Sequence, residues 1–276
     1  MGKDYSGKDL TPLNNKKLFL FDMDGTIYLD GALFDCVVEL MKTIQSNNGR
    51  YVFITNNSSK SVDDYITKLE SMGIPCNEDN FFTSTQASAL LLKEKYKNGL
   101  IYVQTTDSCK KELIRYGLNI TCEYDETASA ILVGFDTEIT GDKMRKTCKM
   151  LTKLQIPYYA TNPDWVCPVD FGYVPDCGSM CYGYEKATGK KPMYIGKPNP
   201  FMIELAMSKF NVTTEQTLVV GDRIYTDIVS GYSAGVDTLL VLSGEASLDD
   251  YNKSDIKPTF ILNSVTELYE QLKQNK

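Results

Sequence analysis

The sequence predicts an α/β protein in which a parallel sheet carries the functional loops, and three observations lead there. Short β-rich apolar runs alternate with amphipathic segments, the order expected of βα units. No internal repeat and no low-complexity tract breaks that alternation. The chain has 276 residues, 42% of them hydrophobic, enough to bury one or two cores.

The expected strands, in order, are 17–21 (KLFLF), 51–54 (YVFI), 81–83 (FFT), 101–104 (IYVQ), 130–133 (AILV), 193–195 (MYI), 217–220 (TLVV), 238–242 (TLLVL) and 259–262 (TFIL). Helices are expected between most of them. Val62, Ile66 and Leu69 recur at helical spacing with charges between, so 61–72 reads as a surface helix. Asn-Pro, Cys-Pro, Phe-Gly and Val-Pro pairs crowd residues 158–175, which read as loop-rich, and a second break falls at 188–192. These breaks place an inserted, smaller α/β unit at 86–190, with 1–85 and 191–276 closing into one discontinuous core domain.

A net charge of -7 argues against a general nucleic-acid or membrane-surface binder, since such proteins cluster Lys and Arg against phosphates. No run approaches the roughly 20 apolar residues of a membrane-spanning helix, and MGKDYSGKDL lacks the order of a secretory signal, so the expected compartment is the cytoplasm. MGKDYS fits the loose myristoylation pattern, but no polybasic segment follows it and an ordinary flexible start is the better reading. The eight cysteines (36, 76, 109, 122, 148, 167, 177, 181) show no CxxC spacing and there is no histidine, so reduced, mostly buried thiols are expected rather than zinc.

Three core strands end in polar loops: FLFDMDGT, VFITNN and LVVGDRIYTD. In an open parallel sheet, ligands bind beyond the carboxyl ends of strands, so these loops should converge and bring together Asp22, Asp24, Thr55, Asn56, Asp222 and Asp227. So many carboxylates cannot all stay ionised side by side without a cation, and a hard, oxygen-preferring ion such as Mg²⁺ is the natural partner. Singly, each stretch has a plainer explanation: Asp24-Gly25 as a turn, Thr55 to Ser58 as a strand exit before an N-cap, Gly221-Asp222 as a cap. Their co-occurrence at three strand ends favours a site. Lys197, held in IGKPNP between a short strand and two prolines, adds the charge a phosphoryl group would require.

In order, Asp22-x-Asp24-Gly-Thr, Thr55, Lys197 and Gly221-Asp222-x4-Asp227 resemble the four motifs of haloacid-dehalogenase-like (HAD) phosphohydrolases. TNPD at 161–164, IGKPNP, GDRIYTDI and LSGEAS look like the NagD, or p-nitrophenylphosphatase-like, subgroup, and the resemblance covers nearly the whole chain. It implies a Rossmann-like core with a C2-type cap and a Mg²⁺-dependent phosphatase of small phosphomonoesters. Asp22 would be the nucleophile, forming an aspartyl-phosphate. Asp24 would act as acid and base, alone in that role because no histidine is available. Mg²⁺ would be held by Asp22, Asp222 and the backbone carbonyl of Asp24, while Thr55, Lys197 and, less centrally, Asn56 bind phosphoryl oxygens. Asp227 would sit behind them, orienting Lys197 or a water on the metal. No motif position departs from the family pattern.

The implied cap would set specificity, with Asn162, Asp164 and the 176–180 segment as its candidate face and Trp165 either packing or stacking on substrate. Sugar phosphates, nucleotide monophosphates and other small phosphorylated metabolites all fit; a phosphoprotein would not reach beneath such a cap. A phosphoryl-transferring mutase and a non-catalytic metabolite-binding protein remain as alternatives. Relatives with such caps often pair through them, yet the sequence shows no decisive apolar patch for a homodimer.

Overall fold

The computed structural model describes residues 2–29, 31–169 and 171–274. The chain divides into two compact units, one comprising Met1–Ile54, Ile66–Phe82 and Lys197–Lys276, the other Thr55–Tyr65 and Thr83–Gly196.

The first unit is built on a six-stranded sheet in the order Phe260–Leu262, Asp237–Val241, Thr217–Gly221, Leu18–Phe21, Arg50–Thr55, Phe81–Thr83. Leu18–Phe21 is buried at every residue, as a strand covered on both faces must be. Alternation sorts its neighbourhood by shape. Leu18 and Leu20 join Val52, Ile54, Val219, Ile203 and Ala206 in a mainly aliphatic core that also takes in Phe82. Phe19 and Phe21 stack at 6.3 Å, and on the neighbouring strand Tyr51 and Phe53 lie 5.7 Å apart, with Phe53 5.5 Å from Phe81. The register pairs Phe21 with both Val220 and Phe53, so adjacent parallel strands end level with one another. Whatever follows Phe21 and Val220 is therefore delivered to the same edge of the sheet.

The second unit holds a five-stranded parallel sheet, ordered Met193–Tyr194, Tyr158–Ala160, Ala130–Val133, Leu100–Gln104, Asn119–Thr121. Helices Gly141–Lys153 and Cys177–Thr188 add Met150, Leu151, Cys177 and Cys181 to its core, against Tyr102, Ile131, Val133 and Tyr158. The first unit is a parallel-sheet α/β core and the second a smaller α/β body, the class the sequence predicts.

The surface helix expected over 61–72 is Val62–Ser71. Residues 158–175 differ from the loop-rich expectation. They contain the strand Tyr158–Ala160 and an antiparallel ribbon pairing Val166–Val169 with Gly172–Pro175. The prolines misled because a ribbon with only one partner strand leaves outward-facing positions where no N–H is needed, and Pro168 and Pro175 occupy the ribbon itself.

Candidate active site

Asp22 follows Phe21 directly and its backbone N–H donates to the Val220 carbonyl at 2.8 Å, continuing the ladder one residue past the strand. The chain then turns: Ile27 N–H donates to Met23 O at 3.0 Å and Gly25 N–H to Tyr28 O at 2.8 Å. Gly25 sits at φ +80, a left-handed conformation that favours glycine. Met23 packs inward with 1% exposure, which turns Asp22 and Asp24 the other way.

The strand Thr217–Gly221 supplies Asp222 in the same manner, and a short π-type turn, Ile224–Ile228, brings Asp227 back over Gly221, where a Cβ would overlap the Asp227 carboxylate. Lys197 is the hub. Its Nζ donates to Asp22 Oδ1 at 2.5 Å, Asp227 Oδ1 at 2.6 Å and the Ile54 carbonyl at 3.1 Å, and the residue is 2% exposed. Arg223 N–H donates to the other Asp227 oxygen at 3.1 Å.

Carboxylate oxygens of Asp22, Asp222 and Asp227 all lie within 4.8 Å of one another. Electrostatics follow from that crowding. Burial, then the Asp22 and Asp227 charges, push the Asp222 carboxyl up to about 8. Burial also lifts Asp227, to about 6, although Lys197 pulls it back down. Burial opposes the Lys197 charge, but Asp22 and Asp227 outweigh it and hold this lysine above the usual range. Asp24 is solvent-exposed by surface area, yet the protein atoms packed around it raise its carboxyl, with Lys68 pulling the other way and Asp22 adding to the rise. The exposure limits that push.

The donor set fits Mg²⁺. It consists of carboxylate oxygens alone, gathered within 4.8 Å of one another, and it carries more negative charge than Lys197 balances. Asp227 spends both oxygens on Lys197 and Arg223, which leaves Asp22 and Asp222 as the side chains that would hold the ion.

Other contacts here were not anticipated. Glu245 N–H donates to Asp222 Oδ2 at 2.8 Å, Ser243 Oγ to the Gly25 carbonyl at 2.8 Å, and Arg223 Nε lies 2.8 Å from Glu245 Oε2. LSGEAS follows the parallel strand Asp237–Val241, so the strand-end rule that picked the other loops also points to it. Lys68 Nζ, 3.8 Å above the Tyr28 ring, carried no signal beyond an ordinary surface-helix charge.

In the second unit, Asn56, Asn162 and Asp164 bind one another. Asn56 Nδ2 donates to Asp164 Oδ1 and Oδ2 at 3.3 and 3.1 Å, and Asn162 Nδ2 to the Asn56 carbonyl at 2.7 Å. Asn162 Oδ1 accepts from Asp164 N–H at 3.0 Å, and all three residues are buried. Thr55 ends its strand, buried, with Oγ1 accepting from Asn57 N–H at 3.2 Å. Trp165 is 59% exposed and meets Tyr182 edge-on at 5.6 Å. Asp176 caps the helix Cys177–Thr188.

Residues 19–119 match the haloacid dehalogenase-like hydrolase family, and residues 194–268 a HAD-hydrolase-like family. The chain is similar to ribonucleotide monophosphatase NagD of Escherichia coli (strain K12), 32% identical over 252 residues, covering 91% of this chain and 98% of that protein. Among solved structures it resembles a 4-nitrophenylphosphatase from Thermotoga maritima, with TM-score 0.89 and 37% identity over 94% of this chain and 98% of that one. It also resembles a glycerol phosphate phosphatase from Mycobacterium tuberculosis in complex with magnesium, with TM-score 0.87 and 26% identity over 95% of this chain and 79% of that one.

Proposed function

The chain belongs to the haloacid dehalogenase-like hydrolase family, and from that premise we propose that it is a Mg²⁺-dependent phosphatase of small organic phosphomonoesters, working through Asp22. The observation that carries this reading is the buried Lys197, bonded at once to Asp22 and Asp227 beside an Asp222 whose carboxyl is pushed up by burial and by those two carboxylates. The relatives' names, ribonucleotide monophosphatase and glycerol phosphate phosphatase, support nucleotide monophosphates and other small phosphorylated metabolites as the substrate class.

In the first step an Asp22 oxygen attacks phosphorus, the bond from phosphorus to the leaving oxygen breaks, and Asp24 gives that oxygen its proton. In the second, Asp24, now ionised, takes a proton from water, whose oxygen attacks phosphorus and frees Asp22. Lys197 steadies the phosphoryl oxygens and is itself held in register by Asp227 and the Ile54 carbonyl. Asp22, Asp222 and the Asp24 backbone carbonyl would hold Mg²⁺, which when bound supplies positive charge against the phosphoryl group. Thr55 and Asn56 are assigned phosphoryl contacts on the family pattern alone. Asn162 and Asp164, engaged with Asn56, act in this reading by fixing its loop. The insert at 86–190 is the element that selects the substrate.

A panel of monoesters assayed with Mg²⁺, for wild type and Asp22→Asn, tests the proposal. Free phosphate released by wild type alone supports it and argues against a mutase; equal turnover by the two proteins refutes it.

A further inference from the structure

We propose that the loop Ser243 to Ala246 is a positioning element of the metal site, one that presets the Asp222 carboxylate and thereby sets the affinity for the cation. The inference rests on the assignment of Asp222 as a metal-binding residue. It adds residues that lie outside the four motifs.

The Asp222 carboxylate lies between two glycine backbones. A Cβ placed on Gly25 would overlap Asp222 Oδ2 and come within 3.0 Å of Gly244 Cα, and a Cβ on Gly244 would overlap the same oxygen from the other side. No residue larger than glycine fits at either position unless Asp222 moves. The loop also holds Asp222 by hydrogen bonds at both ends of the residue: Glu245 N–H donates to Oδ2 at 2.8 Å and Ala246 N–H to the Asp222 carbonyl at 3.1 Å. Two further ties fix the loop. Ser243 Oγ donates to the Gly25 carbonyl at 2.8 Å, joining it to the turn that carries Asp24, and Arg223 Nε stands 2.8 Å from Glu245 Oε2. Ala246 is anchored below, among Ile224, Ile228, Leu240 and Ile261.

A carboxylate fixed in this way has little rotational freedom left to lose when a cation arrives. With Oδ2 committed to the loop, Oδ1 is the oxygen left to face Asp22. Thr26 Oγ1 donates to it across a long 3.5 Å. Partners of metal ligands commonly change affinity or activity by about 10–100-fold when removed.

Gly244→Ala pushes the loop off Asp222, while Ser243→Ala removes one hydroxyl and intrudes on nothing. Each is compared with wild type and Asp222→Asn by calorimetric titration with Mg²⁺ alone and by the melting temperature with and without Mg²⁺. Gly244→Ala is expected to weaken Mg²⁺ by about 10–100-fold and Ser243→Ala by roughly tenfold, with kcat recovering at saturating Mg²⁺. A merely structural role would instead lower the metal-free melting temperature and leave the dissociation constant alone. Wild-type Mg²⁺ affinity in both loop variants, with binding lost in Asp222→Asn, overturns this inference and leaves the proposed function standing. Wild-type affinity in Asp222→Asn overturns the metal assignment itself. Should Gly244→Ala fail to fold, an unchanged dissociation constant in Ser243→Ala is by itself the overturning result.

Discussion

Replacing Lys197 with methionine removes one charge from a site that was arranged around it. In the folded protein Lys197 is 2% exposed, and its partner Asp227 is fully buried, 2.6 Å away. Removing one member of a buried pair costs about 3–5 kcal/mol, because the remaining charge is left without compensation. At about 2–4 °C per kcal/mol for a unit of this size, Lys197→Met should lower the melting temperature by roughly 6–20 °C. Measured in EDTA, so that no cation substitutes for the ammonium, the deficit should also depend on pH. The folded-state carboxyl of Asp227 already stands near 6 against an ordinary 3.8, even with Lys197 pulling it down. Without Lys197 it rises further. An acid whose folded pKa is raised costs stability above its unfolded pKa, and the loss grows as pH climbs towards the folded pKa. Lys197 runs the other way: its raised pKa makes its contribution fully present below the ordinary lysine value, so wild type keeps it throughout. The variant's deficit should therefore be largest near pH 8 and shrink towards about pH 5, where Asp227 can take up a proton. Scanning calorimetry at the two pH values reads both quantities. A loss under about 1 kcal/mol at pH 8, or a deficit that does not change with pH, refutes the reasoning.

Asp24→Asn should lower kcat by about 10²–10⁴-fold with little change in melting temperature, since the side chain is exposed; steady-state kinetics and calorimetry on one preparation check both parts. In the second unit, Gly178→Ala and Gly183→Ala make a matched pair on one helix. A Cβ at 178 would overlap the carbonyls of Pro163 and Asp164, whereas nothing lies within 4 Å of one at 183. The first should lower the melting temperature clearly, and the second should leave it unchanged or raise it by the gain of about 0.5–1 kcal/mol that alanine brings to a helix interior.

The parts of this protein that sequence patterns disclose are those in which neighbours along the chain do the work. LFLF reads as a central strand because burial on both faces demands an unbroken apolar run, and the carboxylates after it stand out because they end that run. Asp22 and Asp222 come together in the first unit because adjacent parallel strands in register end at one edge, and Lys197 and Asp227 join them through contacts that no strand end supplies. What stayed hidden depends on partners distant in the chain or on atoms without side-chain identity. Glu245 holds Asp222 through a backbone N–H, which any residue could supply, and Gly244 is needed only because the residue 22 positions earlier packs on it. The bonds that tie Asn162 and Asp164 to Asn56, more than 100 residues upstream, are likewise contacts that no local pattern announces. The three-residue strand Tyr158–Ala160 is too short for a period to show, and the prolines beyond it imitate a loop. The π-type turn that folds Asp227 over Gly221 has no local signature, being set by the contact it makes.

The central claim is that phosphorus passes through Asp22 on its way to water. The stereochemical course of hydrolysis tests it most directly, using a phosphorothioate monoester made chiral at phosphorus by its sulfur and two oxygen isotopes, hydrolysed in water that carries the third. Two successive in-line displacements, first by Asp22 and then by water, each invert the centre, so the account requires net retention of configuration in the released thiophosphate. Net inversion would mean that water attacks the substrate directly, and would contradict a covalent role for Asp22.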